Sequence, residues 1–464
     1  MAPSMALNHR LIISTSNHRG TNSFVGGRIP LKPHRAYPLR CARETRLRVS
    51  ASAAPPKRVA VVGGGPAGLT FALALSKLNN GAGAENIQVF EQYGSLKPTL
   101  GAGFNINGGA AILCKLGLDK ELKEIGNPMQ RVLARTVTGD PLFDVNIPKI
   151  LPDSLKFNGD PVAYTVMRSD LQAVLESKLP EGMVRTSAQV IDVFETGMGV
   201  RLRLADGSTS DEFDLVVGCD GIRSLIRAAV TNSTAPVAAP VYSGIRILFA
   251  VAPLGTYPKA DPGEVHQWFG DGAYALAYSG GKGERGRDML ALCVADGSKV
   301  AENEAWAEGS GREQCTAMLQ AAAMPEELVD LVGASERIFD IGVHYHNTLP
   351  RWTNGSKLVL LGDSAHAMPP FMGQGANQAI QDAYCLAEKL GQVGGEYESM
   401  EEAIVAYEKV RQVPTAAIMQ ISRLNGWIET QGGIGATLRD LLFKVLGVLG
   451  IPAQIFLQNA VPRV

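Results

Sequence analysis

At 464 residues the chain is long enough for two domains and a large buried core. Its formal net charge of −1 argues against a polyanion such as nucleic acid as partner. The six cysteines form no C-x-x-C pair, so neither a disulfide framework nor a metal site is expected, and no apolar run reaches the length of a membrane-spanning helix.

Residues 1–54 differ from everything after them. They carry basic residues from Arg10 to Arg48 against a single acid, Glu44, among many Ser, Thr, Asn and Pro. Such a segment cannot bury enough apolar surface to fold, and a basic, hydroxyl-containing, acid-poor start reads as an organellar transit peptide. Met1-Ala2 and Val49–Ala53 resemble the start and processing site of chloroplast-directed peptides, with the mitochondrion as the alternative destination.

The chain is organised around Val59–Gly68. Four apolar residues read as a buried parallel strand, and Gly63, Gly65 and Gly68 follow at G-x-G-x-x-G spacing before a helical run, Leu69 to Leu78. This strand, turn and helix suits a pyrophosphate, because glycine permits close backbone approach and the helix N-terminus offers free N–H groups. Ile87 to Glu91 reads as the second strand, ending in an acid placed to accept from a ribose diol. Gly101–Gly109 is dense in glycine and precedes a helix over 110–116, which suggests backbone lying against a flat ligand. Arg168 stands just before a helix expected over 170–179, capped by Ser169 and well placed to meet a phosphate.

Val190–Glu195, Val200–Leu204 and Phe213–Val217 read as strands, the last running into Gly218–Ser224 with Asp220 at the turn. Residues 241–346 are strand-like with Gly- and Pro-rich turns and two helices, as expected of a sheet-based domain able to wall an apolar pocket. Arg246, Gln267 and Tyr274 lie on its strands and are candidates to point into that pocket. His344 and His346 have strand spacing and could share one side. Lys357–Leu361 returns to a buried-strand pattern and ends in Gly362–Asn377, where Asp363 sits at a strand end, His366 reads as a structural residue holding the turn, and Gly373-Gln-Gly375 leads into a helix expected from about 377 to 390. A further helix is expected over 400–430, interrupted near Pro414. Residues 438–457 are unusually apolar and broken by Gly447, Gly450 and Pro452. Packing on the body, membrane-surface contact and a subunit interface are the three readings of that tail.

Three separated motifs carry a resemblance to the single-component FAD-dependent monooxygenases of the aromatic hydroxylase type. Gly63–Gly68 with Glu91 resembles the family's ADP-binding fingerprint, Gly218–Ser224 its middle Asp-Gly motif, and Gly362–Gly375 its Gly-Asp motif. Tyr407, Arg411 and Pro414 resemble its Tyr…Arg-x-x-Pro helix. Residues 362–377 look closest to the salicylate hydroxylase, urate hydroxylase and zeaxanthin epoxidase branch, with Ser364 where Ala is usual and Gln381-Asp382 where Glu-Asp is usual.

The resemblance covers about residues 57–425 and implies an α/β fold. A Rossmann-like FAD-binding domain (55–240 and 349–430, discontinuous) would hold a β-sheet-based substrate domain (241–348) and C-terminal helices, with 431–464 as an apolar tail. It implies FAD held by Gly63, Gly65, Ala67, Gly68, Glu91, Arg168, Asp220, Asp363, Gly373, Gly375, Ala376 and Asn377. Pro370 to Gly375 would lie beside the isoalloxazine ring, which makes Pro370 and Gly375 the catalytic candidates. NADPH or NADH would reduce the flavin, O2 would add to it, and a flavin hydroperoxide would pass one oxygen to a small, largely apolar substrate. The alternative is a flavin reductase on the same fold that acts on an isoprenoid or quinone without oxygen.

Overall fold

The computed structural model describes residues 54–78, 86–96, 103–157, 159–231, 240–257, 261, 263–297, 311–355 and 357–464. The transit peptide expected over residues 1–54 falls, apart from Ala54, outside the described residues.

A parallel sheet forms the first layer. Its strands run in the order Val184–Arg185, Ile87–Phe90, Val59–Val62, Leu215–Gly218, Leu358–Leu360. The near-continuous apolar strands suit a sheet covered on both faces, and the four residues of Val59–Val62 are all buried. The register puts Val62 beside Gly218 and Phe90, and Gly218 beside Leu360. The three motif loops therefore leave the carboxyl ends of three adjacent strands at one level, the crevice where open α/β sheets bind ligands.

A seven-stranded sheet forms the second layer, in the order Arg337–Tyr345, Val241–Pro253, Arg287–Ala295, Ala273–Gly280, Glu264–Phe269, Arg131–Thr136, Pro141–Asn146. Its pairings are antiparallel except that Glu264–Phe269 runs parallel to Arg131–Thr136. Strand side chains alternate between faces. Leu248, Ala250, Leu290 and Leu292 pack under the helices Arg312–Ala321 and Glu326–Gly333, while Ile247, Phe249, Ala291 and Cys293 turn to the opposite face. Residues 131–146, expected within the cofactor domain, are strands of this sheet. Residues 190–195 and 200–204 form a separate two-stranded ribbon, with Val200 also bridged to Phe213, while the following strand, Leu215–Gly218, joins the parallel sheet.

The long helix Met400–Glu429 is unbroken, contrary to the expected interruption at Pro414. Proline removes one N–H from the ladder. Tyr407, Arg411 and Thr415 are completely buried on both sides of it and hold the two halves in line. The apolar tail folds as two helices, Ile434–Val448 and Ile451–Ala460, bent by 70° at the break. Gly450, at φ +70°, makes that bend, whereas Gly447 lies inside the first helix. A Cβ on Gly447 would stand 2.5 Å from the Leu142 carbonyl oxygen, so glycine there lets the helix dock on the strand Pro141–Asn146.

Candidate active site

The three glycines of the first motif do three jobs. Gly63 has φ +108°, and a Cβ there would lie 2.3 Å from the Cys219 carbonyl oxygen, so it makes the tight turn between two motif loops. A Cβ on Gly68 would lie 2.1 Å from the Gly63 carbonyl oxygen, so it lets the helix Pro66–Leu78 close on its strand. A Cβ on Gly65 would meet nothing within 4 Å. No protein atom requires glycine at position 65, and its open face is the surface a pyrophosphate needs. Ala67 and Gly68 lie in the first helical turn, where amides have no intrahelical acceptor.

Glu91 is buried and accepts from the Gly64 amide at 2.9 Å and the Tyr93 amide at 3.0 Å. It pins the glycine loop, and its remaining lone pairs are what a ribose diol could use. Arg168 begins the helix Arg168–Ser177, and its exposed side chain makes no hydrogen bond among the described residues. One turn on, Gln172, not recognised in the sequence, donates to the Gly64 carbonyl at 2.8 Å from a buried position.

In the middle motif Asp220 is spent on the protein. It accepts from the Ser224 hydroxyl at 2.5 Å and from the Leu225 and Ile226 amides at 2.7 and 3.2 Å. Burial pushes its carboxyl above the usual range, against the pull of these bonds. Asp220 thus shapes the loop. Nearby Arg227, its guanidinium lowered to about 10 by burial, ties this loop to the next by donating to the carbonyls of Ser364 and Ala365.

In the third motif Asp363 is exposed, with no side-chain bond to the described protein, and it faces the open space at Gly375, where a Cβ would have only its Oδ1, 4.0 Å away. The helix begins at Gly375, two residues earlier than expected, so Gly375, Ala376 and Asn377 form its first turn. Gly373 has φ +59°, and a Cβ there would strike the Asn105 side chain. Asn377 is fully engaged. Its Oδ1 accepts from the Asn107 and Gly109 amides at 2.8 and 3.0 Å, and its Nδ2 donates to the Asn105 and Gly373 carbonyls. It locks the Gly103–Gly109 segment against the third motif.

Behind this turn lies a buried ionic network. Asp382 accepts from Arg411 Nε at 2.7 Å and from the Gly362 amide at 3.0 Å, and lies 2.5 Å from His366 Nε2. Burial raises the Asp382 carboxyl, but His366 and Arg411 outweigh it and hold it below the ordinary value. The expected structural role of His366 takes this form. Tyr407 donates to the Leu360 carbonyl at 3.0 Å, fixing the long helix to the strand that carries the motif.

In front of the turn opens a cavity of about 820 Å³. It is lined by Gly103, Asn105, Asn107 and the segment Pro370–Gln374, by Ile222 and Arg223 of the middle motif, and by residues of the second sheet, the end of the long helix and the C-terminal helices. Gln267 and Tyr274 line it, as expected. Arg246 does not. It alternates with Ile245 and Ile247, and its guanidinium binds Asp340 at 2.8 Å and Asp296 at 3.3 Å. Of the two histidines, His344 lines the cavity, while His346 Nε2 lies 2.6 Å from the Ile222 carbonyl oxygen.

Two parts of the wall were not foreseen. The apolar tail supplies Phe443, Leu446, Ile455 and Phe456. Phe443 meets Phe143 and Phe269 edge-on, with ring centres 6.2 and 5.1 Å apart. The second surprise is Glu429, a buried acid at the end of the long helix, which also lines the cavity. Nothing in the local sequence marks it, since an acid near a helix end usually faces solvent.

The donor set suits FAD. Open glycine faces at Gly65 and Gly375, first-turn amides of two helices, an exposed Asp363 and an unengaged Arg168 converge around the strand ends, next to a cavity with room for a flat ring. Residues 57–422 match the protein family described as the FAD binding domain. The 3-amino-4-hydroxybenzoate 2-monooxygenase PtmB3 of Streptomyces platensis is 32% identical over 346 residues, spanning 72% of this chain and 79% of the relative. The 6-hydroxynicotinate 3-monooxygenase of Pseudomonas fluorescens is 31% identical over 382 residues, spanning 80% of this chain and 92% of its own. Among solved structures, Klebsiella pneumoniae HpxO complexed with FAD and uric acid shares the fold, with a TM-score of 0.72 at 19% identity over 87% of this chain and 97% of that one.

The chain belongs to the FAD-binding-domain family of flavin-dependent monooxygenases. Between the two activities expected from the sequence, the relatives support the monooxygenase and not the oxygen-independent reductase.

Proposed function

We propose that the protein is an NAD(P)H- and O2-dependent monooxygenase that hydroxylates or epoxidises a small, largely apolar organic molecule. The observation that carries this reading is the apolar cavity of about 820 Å³ that opens directly onto Pro370–Gln374. Bound FAD supplies hydride acceptance and oxygen activation. The protein's part is to hold, orient and shield. Gly65, Ala67, Gly68, Glu91, Arg168, Asp363, Gly375 and Ala376 would hold the cofactor, with Asp220 and Asn377 fixing the loops that present them. Pro370 and the backbone up to Gly375 would border its ring. Phe249, Phe269, Phe371 and Phe443 exclude water from the reacting space.

The two relatives named above are monooxygenases of 3-amino-4-hydroxybenzoate and of 6-hydroxynicotinate, which supports a single substituted ring as substrate. The test is anaerobic mixing of the FAD-loaded protein with NADPH or NADH across a panel of phenols, quinones and xanthophylls. A ligand that accelerates flavin bleaching and yields an oxygenated product after O2 is added is the expected result. Equal reduction rates with every ligand and no oxygenated product would overturn the reading.

Two features bear on where the enzyme works. The basic, acid-poor residues 1–54 support a plastid destination, tested by import of the full chain into isolated chloroplasts and trimming near Ala53. No single described helix is long and apolar enough to cross a membrane. Leu424, Trp427, Ile434, Leu438, Leu441 and Val448 are nonetheless exposed on the long helix and the one after it, which supports peripheral membrane contact. Flotation with anionic lipid vesicles tests it, and a protein that stays in the dense fraction counts against it.

A further inference from the structure

The cavity wall mixes apolar side chains with neutral polar ones such as Gln267, Tyr274 and Tyr278, and Glu429 is the one carboxylic acid among the described residues that line it. The side chain is 5% exposed, and its Oε2 has no hydrogen-bond partner. The obvious counterion is committed elsewhere. Arg439 pairs with Asp440 at 2.8 Å and donates to the carbonyls of Gly270, Glu429 and Gln431, and its guanidinium lies over the Phe269 ring. The Glu429 backbone is thus anchored while its carboxyl is left free. An acid buried without a partner is costly, and such groups persist where a ligand completes them.

Its position on the helix adds a second, independent observation. Ser422, Asn425, Gly426 and Glu429 share one face of the long helix. The Ser422 hydroxyl donates to the Pro369 carbonyl, the Asn425 amide reaches Met372 Sδ, and a Cβ on Gly426 would stand 2.2 Å from the Phe371 ring. That face is pressed against the segment expected to border the flavin ring. Glu429, one turn beyond the Asn425 contact, brings its carboxyl to the same cavity as Tyr274 and Cys293.

We propose that Glu429 is the specificity-determining residue of this enzyme, its carboxyl hydrogen-bonding a hydroxyl group on an otherwise apolar substrate. This rests on the monooxygenase reading and names the substrate class for it. A hydroxyl suits the site in either protonation state. An ionised carboxylate accepts its O–H, and a neutral carboxyl both accepts and donates. An ether lacks the donor, and a substrate carboxylate is repelled once Glu429 ionises. The one guanidinium among the described lining residues, Arg223, belongs to the Gly218–Ser224 loop of the other sheet, and Arg439 behind Glu429 is spent on Asp440 and three backbone carbonyls, so neither is offered to a substrate carboxylate beside Glu429. The groups that face Glu429 are Arg439 on the following helix, Tyr274 and Cys293 on adjacent strands. Burial raises all three acids and Arg439 pulls Glu429 down only in part, which leaves its carboxyl well above the ordinary range.

The test is isothermal calorimetry of the FAD-loaded protein with 4-butylphenol, 4-butylanisole and 4-butylbenzoate, which differ only in the head group. The wild type is expected to bind the phenol at least about tenfold more tightly than the ether. The benzoate should be weakest and should weaken further as pH rises. Glu429→Leu should erase the preference for phenol over anisole. Glu429→Gln, close in size and able to hydrogen-bond, should keep that preference while losing the pH dependence of benzoate binding. A Glu429→Leu protein with the wild-type ranking, or a wild type that prefers the benzoate, overturns the proposal. Binding needs no turnover, so the absence of an oxygenated product would count against the function proposed above, while the ligand ranking still decides the role of Glu429.

Discussion

Two carboxyl groups beside the long helix Met400–Glu429 are both buried, and the protein treats them in opposite ways. Asp382, packed against the middle of that helix, has every need met: Arg411, His366 and the Gly362 amide surround it, and its carboxyl is held below the ordinary value. Glu429, at the helix end, has an unsatisfied oxygen and a carboxyl raised by burial. Satisfied burial holds the cofactor turn in one shape. Unsatisfied burial leaves a polar contact open for something not present in the chain. Breaking the first should cost stability, and removing the second should increase it.

The largest effect is expected at the satisfied network. Arg411→Ala leaves a buried carboxylate uncompensated and should cost about 3–5 kcal/mol, read as a lower urea midpoint, with loss of retained FAD. An unchanged midpoint would mean the network is ornamental. Next come the glycines of the first motif. Gly68→Ala forces a Cβ against the Gly63 carbonyl and should cost about 1–3 kcal/mol by overpacking. Gly65→Ala meets no protein atom, so it should leave the melting temperature unchanged and weaken FAD binding about tenfold. If both variants lose stability equally, the open face at Gly65 is not a ligand surface.

Glu429→Leu should run the other way and stabilise the protein by about 1–3 kcal/mol in the absence of substrate, because a buried unsatisfied group is removed. Thermal unfolding with and without ligand checks it, and destabilisation would mark Glu429 as a structural residue.

The smallest effect is a pH slope. Asp382 is depressed in the folded state, so its contribution is present above the ordinary value of 3.8 and is lost as pH falls through its folded value. Glu429 is raised, so the folded state holds its proton longer, and stability declines as pH rises from 4.5 through the folded value. Comparing wild type with Glu429→Gln from pH 5 upward should show that decline only in the wild type.

The contrast between these two acids also explains what the sequence could and could not show. The strand ends and glycine loops were legible because backbone demands there dictate residue type: Gly63 and Gly373 need positive φ, and Gly68 needs the absence of a Cβ. The second sheet was legible as strands, but its facing was not. One residue of register separates Arg246, held by Asp340, from Ile247 in the cavity wall. The role of the apolar tail was hidden for a different reason. Phe443 finds Phe143 and Phe269 only through long-range packing, and an amphipathic helix reads alike whether it covers a cavity or a membrane. Glu429 left no mark because isolation is a property of its neighbours, and Arg439 could have been its partner until the structure showed it bound to Asp440.

The C-terminal wall of the cavity has a consequence for biosynthesis. Phe143 and Phe443 touch across the pocket, yet roughly 300 residues separate them, which at ordinary elongation rates is on the order of 15–60 s of synthesis. Within that interval the remaining strands of the second sheet, up to Arg337–Tyr345, are made before anything that covers its cavity face. Only when the helices Ile434–Val448 and Ile451–Ala460 have emerged can that face be covered. The cavity wall is therefore complete, and able to close around a ligand, only after translation of those helices.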